Sequence, residues 1–265
     1  MVELVYPPVI ALARAVFAAQ GLKFNVQGSE NVPRTGGAIM AINHIGYFDF
    51  TYAGLAARPA KRLVRFMAKQ EVFKHPIGGP LLRGMKHIPV DRKAGSSALN
   101  AATQQVMNGE IVGVFPEATI SMSFELKEFM PGAALIAKRA AALLNKQSPD
   151  SIDTQIPVLP VIVWGSQRVW TKGKPRRLGR TNTPITIQVG KPMMVNARSN
   201  VKALTSELHD DMEQLLHRVQ EAYPDQPRGV EDSWWLPARL GGTAPTPEAA
   251  AVMEAEIAAR REEKG

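Results

Sequence analysis

The stretch AIMAINHIGYFDF, residues 38–50, decides how this chain is read. Ala38–Ile42 is an unbroken apolar run, which predicts a strand buried on both faces. Asn43-His44 leave that run, Gly46 permits a turn, and Phe48–Ala57 carries a helical pattern. His44 and Asp49 stand five residues apart. On one continuous helix they would point about 140° away from each other. With a turn between them, Asp49 falls near the helix start, where the helix dipole favours a carboxylate. There it can hold one imidazole nitrogen so that the other accepts a proton, which makes the pair a candidate general base. The competing reading is a buried structural histidine with Asp49 as a helix cap.

Outward from that stretch, apolar runs alternate with helical patterns. Strands are predicted at Ala38–Ile42, Arg65–Ala68, His87–Val90, Ile111–Phe115, Val158–Trp164 and Ile185–Val189. Helices are predicted at Phe48–Ala57, Gly95–Asn108, Pro131–Asn145, Val201–Glu221 and Pro247–Arg261. The alternation predicts an α/β fold with a mostly parallel central sheet flanked by helices. Gly36-Gly37, Gly78-Gly79-Pro80 and Gly241-Gly242 read as loops. The chain divides into an N-terminal amphipathic helix (1–22), an α/β body (23–223) and a C-terminal extended tail with a helix (224–265). After Pro7-Pro8, well placed to open a helix, Val9, Leu12, Val16 and Ala19 form a stripe at helical spacing. Ile10 and Phe17 widen it and Arg14 interrupts it. A helix packed on the core and a helix lying in a membrane interface both fit this pattern. Glu3 and the lack of a basic start argue against a signal peptide.

The 265 residues are 45% hydrophobic and 21% charged, the proportions of a globular protein. There is no cysteine, which excludes a disulfide scaffold, a Cys-ligated metal site and a thiol nucleophile. The net charge of +8 favours anionic partners. No charge-free apolar run reaches the ~18 residues of a conventional membrane span. Lys172–Arg180, KGKPRRLGR, packs five positive charges into nine residues. It fits an anionic lipid surface, a phosphate clamp or a solvated loop. It lacks the interleaved aromatics of a nucleic-acid site, and nucleic acid is not an expected partner. Trp234-Trp235 reads as the cover of a hydrophobic groove or as an interfacial anchor. His75, His87, His209 and His217 have no metal-ligand context, so no metal is expected.

Two further segments carry possible chemistry. KHIPVDR, Lys86–Arg92, ends a strand on Asp91-Arg92 and places a guanidinium at the carboxyl edge of the sheet, where open α/β sheets bind ligands. Arginine suits bidentate phosphate recognition, and a surface salt bridge with Asp91 is the alternative. GVFPEATIS, Gly113–Ser121, ends another strand on Pro116-Glu117. Glu117 can position a hydroxyl or lock the loop, while Thr119 and Ser121 can cap a helix or donate to an anion.

Taken together, the three segments resemble the glycerolipid acyltransferase family, whose best-known members acylate 1-acyl-glycerol-3-phosphate. The family's first block is Asn-His with Asp after four intervening residues, matched by Asn43, His44 and Asp49. Its second ends Ile-x-x-Asp/Arg-Arg, matched by Ile88-Pro89-Val90-Asp91-Arg92. Its third, Phe-Pro-Glu-Gly-Thr-Arg-Ser, appears as Phe115-Pro116-Glu117-Ala118-Thr119-Ile120-Ser121. Its fourth, an apolar strand with an internal proline, is Val158-Leu159-Pro160-Val161. The blocks occur in order within residues 20–195, and RFMAKQEVF at Arg65–Phe73 adds to the likeness. The chain departs from the family at Ala118, usually Gly, and Ile120, usually Arg. EATIS, SFELK, WGSQRVW and WWLPARLGGTAPTP are similar to the actinobacterial branch.

The resemblance implies acyl transfer from acyl-coenzyme A, or an acyl carrier protein, to a glycerol hydroxyl of lysophosphatidic acid or glycerol-3-phosphate. His44 is then the base, Asp49 orients it, and Asn43, Arg92, Glu117, Thr119 and Ser121 bind substrate. No cofactor is implied, because acyl-coenzyme A is the donor substrate. No covalent acyl-enzyme is implied, and no Gly-x-Ser-x-Gly elbow is present. Backbone amides near His44–Gly46 or Glu117–Thr119 are candidate oxyanion donors. The implied setting is peripheral, at the cytoplasmic face of an anionic membrane, with the oligomeric state left open. Ile120 in place of Arg keeps two other functions in play: a non-catalytic lipid or acyl-CoA binder on this fold, and transfer to a different lipid or glycolipid acceptor. If the acceptor carries a phosphate, Arg92→Ala should mainly raise the Michaelis constant for the acceptor. An unchanged acceptor Michaelis constant in steady-state kinetics removes Arg92 from that role.

Overall fold

The computed structural model describes residues 3–91, 95–147 and 153–262. In chain order the elements are α1 (Tyr6–Ala19), β1 (Lys23–Gln27), β2 (Ala38–Ile42), α2 (Asp49–Ala53), β3 (Val64–Lys69) and α3 (Gly78–Gly84). There follow β4 (Ile88–Val90), α4 (Gly95–Met107), β5 (Ile111–Val114), α5 (Gly132–Gln147), β6 (Ile156–Trp164), β7 (Pro184–Val189), β8 (Met193–Val195), α6 (Val201–Glu221) and α7 (Pro247–Glu262). The strands form one sheet in the order β1-β7-β6-β2-β5-β3-β4, with β8 paired to β6. Pairing is parallel except where β7 and β8 run antiparallel to β6. The expected mostly parallel α/β sheet is therefore the observed one.

β2 occupies the middle, and all five of its residues are buried, as a strand covered by helices on both faces requires. One face of the sheet packs against α4, α5 and α6 through Ile39, Ala41, Val112, Ile162 and Leu216. The other packs beneath α1 and α2 through Met40, Ile42, Phe17, Tyr52 and Leu159. The buried face of α5 is almost all alanine (Ala133, Ala134, Ala137, Ala140 and Ala141), so its backbone lies close to the sheet. α6 begins where Asn200 accepts the N–H groups of Lys202 and Ala203 at 3.0 and 3.1 Å. Pro160 sits inside the long β6, where a proline would normally break the ladder. Its carbonyl accepts the Gly190 N–H at 2.8 Å, so its nitrogen faces the β7/β8 side. There it falls between the residues paired to β8 (Ile156–Val158) and those paired to β7 (Val161–Trp164). The missing donor costs no ladder bond.

Several elements differ from the sequence reading. The helix expected at Phe48–Ala57 is α-helical only over Asp49–Ala53 and continues as a 3-10 turn, Gly54–Ala57. Gly78-Gly79-Pro80 opens α3 instead of a loop, because a proline in a first turn has no helical N–H to withhold. β1 and β8 escaped the pattern: β1 is alternately exposed and half-buried, and β8 spans three residues. The stripe on α1 is also rotated. Tyr6 and Phe17 are buried, with Ile10 and Ala13 half-buried between them, while Leu12 is 67% exposed and Val16 is exposed too. The rotation follows from two ties. The Tyr6 hydroxyl donates to the Val64 carbonyl at 2.7 Å. Glu3 pairs with Lys86 at 2.7 Å and with the buried Arg65 at 2.6 Å.

His87 lies beside this anchor, its ring edge-on to Tyr6, and its Nδ1 accepts the Phe66 N–H at 3.0 Å. Burial first, and then the Arg65 guanidinium, push its pKa down from 6.5 to about 4. Between those values the unfolded chain binds a proton that the folded chain refuses. His87 should therefore cost the fold up to ~3 kcal/mol as pH falls from 6.5 towards 4. Denaturant unfolding across this range should show the loss in wild type and not in His87→Asn, whose amide oxygen can replace Nδ1. Parallel curves would refute the assignment.

Candidate active site

Because β2 lies between β5 and β6, the loops leaving the carboxyl ends of these three strands meet over one edge of the sheet. His44 follows β2, Glu117 follows β5 and Ser166 follows β6. Tertiary order thus brings together residues far apart in sequence.

Asp49, wholly buried at the first position of α2, is the centre of the cluster. Its Oδ2 accepts the N–H groups of Ile45 at 2.7 Å and Gly46 at 2.8 Å, and it lies 3.0 Å from His44 Nδ1. The Ser166 hydroxyl donates to Oδ1. An oxygen facing two amide donors needs a third donor at Nδ1, which leaves the lone pair on His44 Nε2. The His44 side chain is 20% exposed and its ring lies against Phe115, centroids 4.3 Å apart. The imidazole is thus held at two sides and open to solvent. Gly46 is needed for close approach, since a Cβ there would meet Ser166 Oγ at 2.8 Å.

Glu117, also buried, joins two loops with its two oxygens. Oε1 accepts the His44 N–H at 2.7 Å and Oε2 accepts the Lys127 N–H at 3.1 Å. The Ser121 N–H returns to the His44 carbonyl at 2.7 Å. The backbone of His44 is therefore clamped by the third block. Burial pushes the Glu117 carboxyl up from 4.5 to about 8, against the pull of the two backbone donors.

The remaining candidates have varied places. Asn43 is buried and its carboxamide bridges to β6, donating to the Val163 carbonyl at 3.1 Å and accepting its N–H at 2.7 Å. Ser121 is buried and donates to the Glu125 carbonyl at 2.7 Å. Thr119 is half-buried, its Oγ1 accepting from Lys127 Nζ at 2.7 Å. Arg92 lies outside the described residues. Ala118, usually Gly in the family, has φ +60, a conformation in which a Cβ is strained. Ile120 is buried and offers no charge. The candidate oxyanion amides are largely spent: those of His44, Ile45 and Gly46 on the two carboxylates, those of Ala118 and Thr119 on the carbonyls of Phe115 and Glu117.

Sequence reasoning missed Ser166 and Lys127. The signal for Ser166 in the sequence was the glycine that ends the strand, Gly165, whose φ of +97 and close approach to the Pro184 carbonyl in the structure require that residue. The basic run Lys172–Arg180 borders this edge. The Thr171 hydroxyl donates to the Ile45 carbonyl at 2.6 Å, and Trp170 stacks on Tyr47 at 4.4 Å. Arg176 lies 4.8 Å over Trp170. Trp235 is fully buried against Tyr223, while Trp234 receives Lys174 at 5.4 Å. Among the described residues no group of three or more acidic or histidine side chains could hold a metal ion.

Known proteins share this arrangement of elements. A family model described as Acyltransferase matches residues 23–164. A 1-acyl-sn-glycerol-3-phosphate acyltransferase of Bacillus subtilis is 34% identical over 121 residues, 45% of this chain and 58% of that protein. One of Limnanthes douglasii is 26% identical over 204 residues, 75% of this chain and 62% of that protein. The chain thus spans about three fifths of the length of these curated relatives. The crystal structure of the 1-acyl-sn-glycerophosphate (LPA) acyltransferase PlsC from Thermotoga maritima superposes with a TM-score of 0.62 at 21% identity. It covers 83% of this chain and 80% of its own, which shows a common fold.

The clamp has a pH signature. With the Glu117 pKa raised to about 8, the unfolded chain releases this proton near 4.5 while the folded chain keeps it. Stability from this group is full below 4.5 and is lost as pH rises through 8. Glu117→Gln should flatten the fall in denaturant midpoint between those values, while lowering stability at acid pH by about 1–3 kcal/mol for one unsatisfied amide. An unchanged slope would overturn the assignment.

Proposed function

Because this chain belongs to the acyltransferase family, we propose that it moves a fatty acyl group from acyl-coenzyme A to a glycerol hydroxyl. The acceptor on this reading is lysophosphatidic acid or glycerol-3-phosphate, and the product enters phospholipid synthesis. The relatives named 1-acyl-sn-glycerol-3-phosphate acyltransferase support that acceptor. The observation that carries the mechanism is the 3.0 Å contact between the accessible His44 and the buried Asp49.

The acceptor oxygen attacks the thioester carbonyl carbon as its proton passes to His44 Nε2. Asp49 holds Nδ1–H and stabilises the imidazolium that forms. The tetrahedral intermediate collapses with cleavage of the C–S bond, and the departing sulfur takes the proton from His44. One ester and one free thiol result, with no acyl-enzyme and no cofactor. Oxyanion stabilisation has to come from outside the five amides already spent on the protein. Arg92 and the third block bind the acceptor on this reading. Holding both substrates in register can lower the barrier by about 7–11 kcal/mol.

We place the protein at the cytoplasmic face of the membrane. No helix among the described residues is long and apolar enough to cross a bilayer. Leu4 just before α1, and Leu12 and Val16 on it, are exposed instead, and the exposed run 173–180 next to the His44 loop supplies cationic side chains for anionic headgroups. An amphipathic lipid substrate would then reach the site without leaving the surface.

His44→Ala should lower kcat about 10²–10⁴-fold in transfer of labelled acyl chain to lysophosphatidic acid. Asp49→Asn should approach that loss, because an amide NH₂ or carbonyl cannot meet all four donors. Turnover of His44→Ala within a fewfold of wild type would end the general-base role. Absence of transfer by the wild-type protein, with acyl-CoA binding retained, would favour the non-catalytic binder.

A further inference from the structure

Lys127 lies at a junction that the mechanism does not use. Its backbone N–H shares the Glu117 carboxylate with the His44 N–H, so the two residues are tied through a single side chain. Its ammonium donates to Thr119 Oγ1 at 2.7 Å and pairs with the carboxylate of Glu254. The other oxygen of Glu254 accepts the Met122 N–H at 3.3 Å. An ammonium and an amide of the third-block loop thus converge on one carboxylate, which arrives from α7, 127 residues away.

α7 is lightly held. Among its described side chains only Ala250 is buried, with Glu254 and Ile257 half-buried one and two turns further on. Val252 and Met253 are exposed. One alanine methyl and part of an isoleucine make a small apolar seam, so the polar contacts of Glu254 are the specific tie. The pair is part-exposed, 31% for Lys127 and 13% for Glu254, and an ion pair in that setting contributes little net stability. A dianion of the right shape can compete for the same donors.

We propose that Lys127, the Thr119 hydroxyl and the Met122 N–H form the subsite for the phosphate of the acceptor, and that Glu254 fills it as a displaceable carboxylate plug. The subsite belongs to the same loop that clamps His44, so a phosphate bound there is delivered beside the base. It also supplies a cation on a loop where Ile120 has none. The inference rests on the acyl-transfer reading for the identity of the phosphate, while the anion site itself does not.

Binding of glycerol 3-phosphate to the full chain and steady-state kinetics with lysophosphatidic acid and acyl-CoA test it together. Glu254→Gln should tighten glycerol 3-phosphate binding about three- to tenfold and lower the acceptor Michaelis constant in parallel. Lys127→Met should weaken both about tenfold while the acyl-CoA Michaelis constant stays within twofold, and Lys127→Arg should restore most of the loss. Unchanged binding in Lys127→Met, or weaker binding in Glu254→Gln, would overturn the proposal. A rise in the acyl-CoA Michaelis constant instead of the acceptor's would overturn it too, by assigning Lys127 to the donor. If the wild-type chain acylates no lysophosphatidic acid, the acyl-transfer reading fails, and glycerol 3-phosphate binding by the variants still decides the subsite.

Discussion

The buried carboxylate of Asp49 is the constraint on which the site depends. A carboxylate withdrawn from water must find donors, or its desolvation would cost several kcal/mol. Here it finds four: two amides and an imidazole from the loop after β2, and a hydroxyl from the loop after β6. Satisfying one charge therefore fixes the turn at Gly46, the tautomer of His44 and the approach of Ser166. The general base is a consequence of that arrangement, since three of the four donors are needed to aim the fourth.

Glu117 repeats the device one strand away. Its two oxygens hold the amides of His44 and Lys127, so the loops after β2 and β5 cannot move independently. The central position of β2 makes both contacts possible, because its neighbours on either side deliver their loops to the same edge. α7 then reaches this edge through Glu254, so the C-terminal tail is part of the site's surroundings. Two buried carboxyl groups and one half-buried carboxylate thus organise a region bordered by the basic run 172–180.

Much of this was legible beforehand. β2, with five consecutive apolar residues, has the same bounds in the pattern and in the structure, because a strand covered on both faces leaves an unbroken apolar signal. α6 matches its expected span for a related reason: Asn200 is a helix cap that can be read locally, and an apolar stripe follows it. β1 is half-exposed and β8 is very short, so neither leaves a pattern to read. The rotation of α1 was hidden because its apolar residues cover more than one face. Only the ties of Tyr6 and Glu3 choose the face that is buried.

The sequence by itself determined the six strands β2 to β7, the family resemblance, and His44 with Asp49 as the candidate base. Those properties are local: periodicity, a turn residue and a short spacing are all carried within a few residues. Only the tertiary structure decided that Ser166 completes the Asp49 shell, that Asn43 is committed to β6, and that Glu254 meets Lys127. These contacts span more than a hundred residues each, and hydrogen-bond partners at that separation are chosen by sheet order. The reason is geometric: a buried polar group has to be satisfied by whatever donor the fold brings within about 3 Å, and no spacing rule along the chain records which donor that is.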